Sequence, residues 1–120
     1  MVEFYIPFRL PGFNEAHNDA RTHWSKAAET KRNATESVGW LCKRLQPIHG
    51  KVNVTILWGM KGDNRDPDNV YSGVKYILDG LVSMGILESD TKRHIGSIHA
   101  DHDDGSDITV VRLEEAKESA

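Results

Sequence analysis

Two aspartates flank a proline at Asp66-Pro67-Asp68, and a third acid, Asp90, follows further along the chain. Carboxylate oxygens are preferred ligands of Mg²⁺, which keeps several waters, so a few acids suffice to bind it. The same residues also make a good helix start. Asp66 can accept from backbone N–H groups, Pro67 suits the first helical position, and Asp68 favours the positive end of the helix dipole. Spacing alone therefore allows both a helix cap and half of a metal site.

Other metal and nucleophile patterns fit the sequence poorly. An EF-hand loop begun at Asp66 would need Gly at its sixth position and Glu at its twelfth, and this chain has neither. There is no Gly-rich phosphate loop and no GxSxG elbow, and Cys42 is the only cysteine. A zinc site is conceivable with Asp101 or Asp103, although the spacing of the available histidines matches no standard zinc pattern. Those histidines are His94, His99 and His102.

The elements that must position these acids follow from the spacing of apolar residues. Alternation predicts four strands, at residues 2–7, 51–60, 92–100 and 107–115. Three- and four-residue steps predict two helices, at residues 24–45 and 67–84. The order β-α-β-α-β-β predicts an α+β fold, with a single mixed sheet and two main helices packed on it.

This arrangement raises a difficulty for a site shared by Asp68 and Asp90. A helix that connects two strands of one sheet runs antiparallel to them, so its start and its end lie at opposite poles. A helix over residues 67–84 would separate the two acids by about 25 Å. The segment 85–90 is long enough to extend back by several residues, but periodicity does not decide whether it does.

Size and composition predict one domain, residues 1–120, and make dimerisation unsurprising. No stretch approaches the roughly 18 uninterrupted apolar residues of a membrane span. The N-terminus carries Glu3, lacks a basic leader and has no small-residue cleavage site, so no secretion signal is predicted. We therefore expect a cytoplasmic protein with no membrane partner.

The two halves of the chain differ in the sign of their charge. Residues 1–62 contain nine Lys and Arg against five Asp and Glu, whereas residues 63–120 contain six against thirteen. A basic half can hold a phosphate backbone, and an acidic half can hold divalent cations beside it. A chance asymmetry on a solvated surface explains the same counts.

The stretch from Arg65 to Asp90, RDPDNVYSGVKYILDGLVSMGILESD, resembles the RusA family of Holliday junction resolvases. The family pattern is an Asp-x-Asp-Asn opening, a Lys followed four residues later by Asp, and an acid after a turn of Gly and apolar residues. The N-terminal segment PGFNEAHNDARTHWS is similar to a loop of the same family. The matching positions in this chain are Asp66, Asp68, Asn69, Lys75, Asp79, Leu81 and Asp90.

Two positions depart from the family pattern. The family lysine comes four residues after the second Asp, where this chain has Ser72, and Lys75 comes three residues later. Three residues turn a helix by about 300°, so Lys75 faces nearly the same direction one turn further along. Ser89 stands where family members often carry a second acid next to the position of Asp90.

The resemblance implies an Mg²⁺-dependent crossover junction endodeoxyribonuclease, with Mn²⁺ as a possible substitute. Such an enzyme is a homodimer that resolves four-way DNA by paired strand nicking in recombination and repair. The resemblance implies that Asp66, Asp68 and Asp90 meet in space, hold one or two ions and form the catalytic set together with Lys75. It implies no small-molecule cofactor, and Asp79 is expected to have a structural role.

Candidate phosphate contacts lie on the loop and the first predicted helix: Arg21, Lys26, Lys31 and Arg32. Two alternatives stay open. One is a non-catalytic recombination accessory protein that binds branched DNA, for which the departures at Ser72 and Ser89 argue. The other is a small metal-binding protein of unrelated role.

Overall fold

A computed structural model describes residues 1–12, 14 and 24–116. Its strands are β1 (Val2–Ile6), β2 (Val52–Gly59), β3 (Ile95–Asp103) and β4 (Thr109–Glu115), and its helices are α1 (Trp24–Cys42), α2 (Pro67–Tyr71) and α3 (Val74–Ser83).

The strands form one mixed sheet in the order β1-β4-β2-β3. Strand β4 is antiparallel to both of its neighbours, while β2 and β3 are parallel. A parallel pair needs a crossover connection, and α2 and α3 supply it. The prediction of an α+β fold with one mixed sheet and two main helices is confirmed.

The core lies between the helices and one face of the sheet. Alternate residues of β2 are buried from Val52 to Met60, as the apolar alternation of this segment predicts. Helices α1 and α3 pack closely because Gly80 has no side chain: a Cβ there would lie 2.7 Å from Cγ1 of Val38. In the described part of the chain, no helix is both long and apolar enough to cross a membrane.

The second predicted helix, over residues 67–84, is divided into α2 and α3 at Ser72 and Gly73. Both residues keep right-handed helical angles, with φ of −60° and −64°, so the division is a tightened turn and not a reversal. Gly73 lies in a crowded place, since a Cβ there would approach the ring of Trp58 to 3.1 Å and Cβ of Leu10 to 3.4 Å. As predicted, Gly85 follows the end of the helix, with a positive φ of 73°.

The predicted turn at residues 101–106 is shorter in the structure, because β3 continues to Asp103. Strands β3 and β4 flank this turn without being neighbours, since β2 lies between them. Their connection crosses the end of β2, and a Cβ on Gly59 would lie 2.6 Å from the backbone of Ile108. Glycine is therefore required where this connection passes.

Candidate functional site

Asp66 and Asp68 lie at the start of α2, directly after the loop that leaves β2. Asp66 has extended backbone angles, and its carbonyl oxygen accepts from the N–H of Val70 at 3.1 Å. Its carboxylate makes no capping hydrogen bond. Both acids are exposed, and neither forms an ion pair with another described residue. The helix thus begins at Pro67 as predicted, but the side-chain cap expected of Asp66 is not formed, and the two carboxylates stay available to a ligand.

Lys75 contacts two acids, one on its own helix and one in the loop that follows it. Its Nζ lies 2.9 Å from Oδ2 of Asp90 and 3.0 Å from Oδ1 of Asp79. Asp79 is one helical turn further along α3, the spacing at which helix side chains meet. Asp90 belongs to the loop between α3 and β3. Two members of the predicted catalytic set, Lys75 and Asp90, are therefore in direct contact.

The contact between Lys75 and Asp90 corrects the separation expected from a single uninterrupted helix. Lys75 comes seven residues after Asp68, with the tightened turn at Ser72 and Gly73 between them. The loop after α3 therefore returns about halfway along the α2–α3 segment. Asp90 does not lie at the far pole, about 25 Å away.

The structure does not bring all three predicted acids into one preformed group. Within residues 1–12, 14 and 24–116, no three His, Cys, Asp or Glu side chains are grouped so that they could hold a metal ion. Asp66 and Asp68 lie at the start of α2, and Asp90 is bound by Lys75 instead. The donor chemistry of these exposed carboxylates suits a hard divalent cation.

Electrostatics tie the charge states of Lys75 and Asp90 together. The hydrogen bond from Lys75 holds the pKa of Asp90 below its usual value. The hydrogen bonds to Asp90 and then Asp79 raise the pKa of Lys75. The lysine is thus firmly cationic, and Asp90 is firmly ionised, at neutral pH. An ionised acid is what a cation or a phosphate-bound metal would require.

Asn69, the last residue of the Asp-x-Asp-Asn pattern, attaches the N-terminal segment to α2. Its Oδ1 accepts from the N–H of Asn14 at 3.0 Å. Gly12 packs against the same residue so tightly that a Cβ would lie 2.5 Å from that oxygen. The segment that leads towards α1 therefore leaves from beside Asp66 and Asp68. Sequence spacing gave no sign of this contact, because the partners are distant in the chain.

A buried ion pair fixes the loop before α2. Arg65 donates to both oxygens of Asp63, at 2.7 to 3.1 Å, and its Nη1 donates to the carbonyl of Leu10 at 3.0 Å. The Asp63 side chain is only 1% exposed, and the hydrogen bond from Arg65 lowers its pKa. Arg9 lies 3.7 Å from the same carboxylate. The N-terminal segment is thus held at Leu10 as well as at Asn14.

A second network holds the loop that carries Asp90. Glu88 contacts His49 at 3.1 Å and His94 at 3.0 Å, and Oγ of Ser89 lies 2.6 Å from Nδ1 of His94. The contact with His49, followed by that with His94, lowers the pKa of Glu88. His94 thus bonds within this loop. The zinc site considered for His94, His99 and His102 is not formed, since the described residues contain no group of three metal-binding side chains.

The candidate phosphate contacts lie partly within the described chain. Lys26, Lys31 and Arg32 are exposed on α1. Arg21 lies outside the described residues. The structure also places Tyr71 beside His102, with the hydroxyl 2.8 Å from Nδ1. His102 pairs with Trp58 near the end of β2, where the loop to α2 begins.

Comparison of the chain with protein-family models, with curated proteins and with solved structures found no match.

Proposed function

We propose that the protein is a divalent-metal-dependent, structure-selective endonuclease that acts as a homodimer on branched DNA. Its substrate is the four-way junction formed in recombination and repair, which it resolves in the cytoplasm by paired nicking. The proposal is supported by the sequence motif of acids and lysine, together with the contacts that these residues make. Its class is a hydrolase of DNA phosphodiester bonds that uses Mg²⁺ or Mn²⁺.

The observation that carries the proposal is the contact with Asp90 made by Lys75, which lies on the helical segment that begins at Asp66 and Asp68. A lysine and an acid that are brought together from separate segments form a polar site, which a simple helix start does not need. The unused carboxylates of Asp66 and Asp68 on the same segment add two oxygen donors. Oxygen donors and one ammonium group are the parts that phosphoryl transfer requires.

The charge distribution supports a nucleic-acid substrate. The exposed cations of α1 follow a segment that Asn69 attaches directly beside Asp66 and Asp68. Exposed cations of this kind can hold a phosphate backbone. The net charge of −3 conceals this division between the two halves of the chain.

In the proposed mechanism Asp66, Asp68 and Asp90 would hold one or two divalent ions. When bound, such ions polarise the scissile phosphate, lower the pKa of a bound water and stabilise the departing oxygen. Lys75 would then donate from its ammonium group to a phosphate oxygen as negative charge develops. Because Asp90 is paired with Lys75 in the free protein, substrate and metal would have to replace that ion pair.

The rival proposal is an accessory protein that binds branched DNA without cutting it. It is favoured by one observation: the described residues contain no preformed group of three metal-binding side chains. The two proposals agree on DNA binding and differ on hydrolysis. An experiment must therefore measure both properties on the same protein.

The test compares wild type with Asp68→Asn on a synthetic four-way junction in Mg²⁺ and in Mn²⁺. We expect Asp68→Asn to bind the junction with unchanged affinity and to nick it at least 100-fold more slowly, the scale of loss for one electrostatic catalytic group. Glu114→Gln is the matched control, because Glu114 is an exposed acid on β4, away from α2. It should nick like wild type.

Two outcomes would decide against the nuclease. A purified wild type that binds the junction but never nicks it, in either metal, supports the accessory protein. A wild type that shows no salt-sensitive binding to any DNA favours a metal-binding protein of unrelated role.

A further inference from the structure

Strand β3 forms an open edge of the sheet. Among the described residues it pairs only with β2, while its other side has no strand beside it. Natural proteins usually protect an edge of this kind with proline, lysine or a short strand. Strand β3 has nine residues and contains neither proline nor lysine. Its acidic side chains are Asp101 and Asp103, so a strand that pairs with this edge must place suitable partners opposite these acids.

The backbone groups that point outward from this edge can be identified. The carbonyl of Asp103 accepts from the N–H of Met60, so Asp103 points its backbone towards β2. Because successive residues alternate, Ile98, Ala100 and His102 point theirs away from β2. Consistent with this, the N–H of His102 bonds to the carboxylate of Asp101, at 2.8 Å, and not to β2, and a strand that pairs at this edge has to replace that bond.

The helix layer leaves the side chains of β3 partly uncovered. Ile98 and Ala100 pair with Val54 and Ile56, which are fully buried under the helices, yet Ile98 is 45% exposed. An apolar side chain beside an open strand edge is a surface that a further strand would cover.

We propose that a second copy of this chain pairs with β3 in antiparallel fashion, about a two-fold axis at Ala100, to give a continuous eight-stranded sheet. In this register the outward groups of Ile98 face those of the second copy's His102, and Ala100 faces Ala100. The outward N–H and C=O groups of one copy therefore face the outward C=O and N–H groups of the other, as an antiparallel ladder requires.

Charge selects this register over its neighbours. An axis at Ala100 sets His99 opposite the second copy's Asp101, and Asp101 opposite the second copy's His99. Histidine can donate an N–H to a carboxylate whether or not it is protonated, so both crossed pairs are favourable. An axis one residue earlier would set His99 opposite His99, and an axis one residue later would set Asp101 opposite Asp101.

This pairing also relates the two candidate sites. A two-fold axis between antiparallel strands of one sheet is perpendicular to the sheet, so both helix layers lie on the same face. The two copies of Asp66 and Asp68 would then face one side of the dimer, as paired nicking of one junction requires. Only this relation rests on the proposed function; the interface itself does not.

The test is a charge swap measured by sedimentation equilibrium. We expect wild type to be a dimer, and His99→Asp and Asp101→His each to weaken it by about tenfold, since each disrupts both symmetric pairs. The double variant His99→Asp with Asp101→His restores crossed pairs of opposite type and should recover most of the affinity. Circular dichroism of each variant verifies that the fold is retained.

A rival surface supplies the control. Trp40 on α1 is 68% exposed, and Nζ of Lys43 lies 3.7 Å from the centre of its ring. Trp40→Glu should leave the dimer intact. If Trp40→Glu dissociates the dimer and the β3 variants do not, or if wild type is monomeric at the highest soluble concentration, the β3 interface is overturned.

Failure of the interface and failure of the nuclease are distinguishable. A wild type that nicks junctions, but whose dimer is insensitive to the β3 variants, overturns only the interface. A dimer that follows the charge swap, but never nicks DNA, overturns only the nuclease.

Discussion

At the scale of the residue, the sequence identifies the candidate site residues but not the direction in which each side chain is held. The relative positions of Asp66, Asp68 and Lys75 can be predicted because helical periodicity relates near neighbours. The position of Asp90 cannot be predicted in this way, because Asp90 lies in a loop whose sequence has no periodicity. The role of Asn69 is equally hidden, since its partner Asn14 is distant in the chain.

In the proposed site, Lys75 would compete with a cation for Asp90. Replacing Lys75 by Met should therefore strengthen Mn²⁺ binding, by about two- to fivefold, because an exposed ion pair contributes only about 0.2–1 kcal/mol. The same change should slow junction nicking, because the ammonium group is lost at the phosphate. Titration of Mn²⁺ by electron paramagnetic resonance, together with the nicking rate, measures both effects.

Lys51→Met is the matched control for this experiment, because Lys51 is an exposed lysine just before β2. It should change neither property. Weaker Mn²⁺ binding in Lys75→Met would contradict competition, and unchanged nicking would remove Lys75 from the mechanism.

At the scale of the element, the sequence predicts β2 and the course of the α2–α3 segment well. Alternation over residues 52–60 and a helical period after Pro67 are strong local signals. The division at Ser72 and Gly73 depends on Trp58 and Leu10, which pack against Gly73 from elsewhere in the chain. Local patterns carry no information about such contacts, and the same holds for the passage of the β3–β4 connection over Gly59.

The N-terminal segment is attached to this part of the fold through Asp63 and Arg65. Replacing Asp63 by Asn should lower the free energy of unfolding at pH 7 by about 1–3 kcal/mol, because a nearly buried, charge-assisted pair is lost. Arg65 lowers the pKa of Asp63 in the folded protein. The stabilisation that this ion pair gives is present above the unfolded-state pKa of about 3.9. It is lost as the pH falls through the pKa of Asp63 in the folded protein.

The difference between wild type and Asp63→Asn should therefore shrink between pH 7 and pH 3. Urea unfolding at both pH values measures it. A difference of the same size at both values would show that the charge of Asp63 does not stabilise the loop.

At the scale of the whole molecule, charge and topology act together. The basic first half supplies α1, and the acidic second half supplies α2, the loop of Asp90 and the whole of β3. Folding sets the two halves side by side, because Asn69 and Arg65 contact the segment that leads towards α1. Composition alone predicted the division of charge, but not these contacts between the two halves.

The central claim is that acids from two separate segments hold one cation where a DNA phosphate is cut. A crystal structure with Mn²⁺ and a four-way junction, using Asp68→Asn as the comparison, tests it most directly. We predict anomalous density with carboxylate oxygens of both Asp68 and Asp90 in contact in wild type, and its loss or marked weakening in the variant. Mn²⁺ bound by neither acid, or bound only at the turn that follows β3, would contradict the claim.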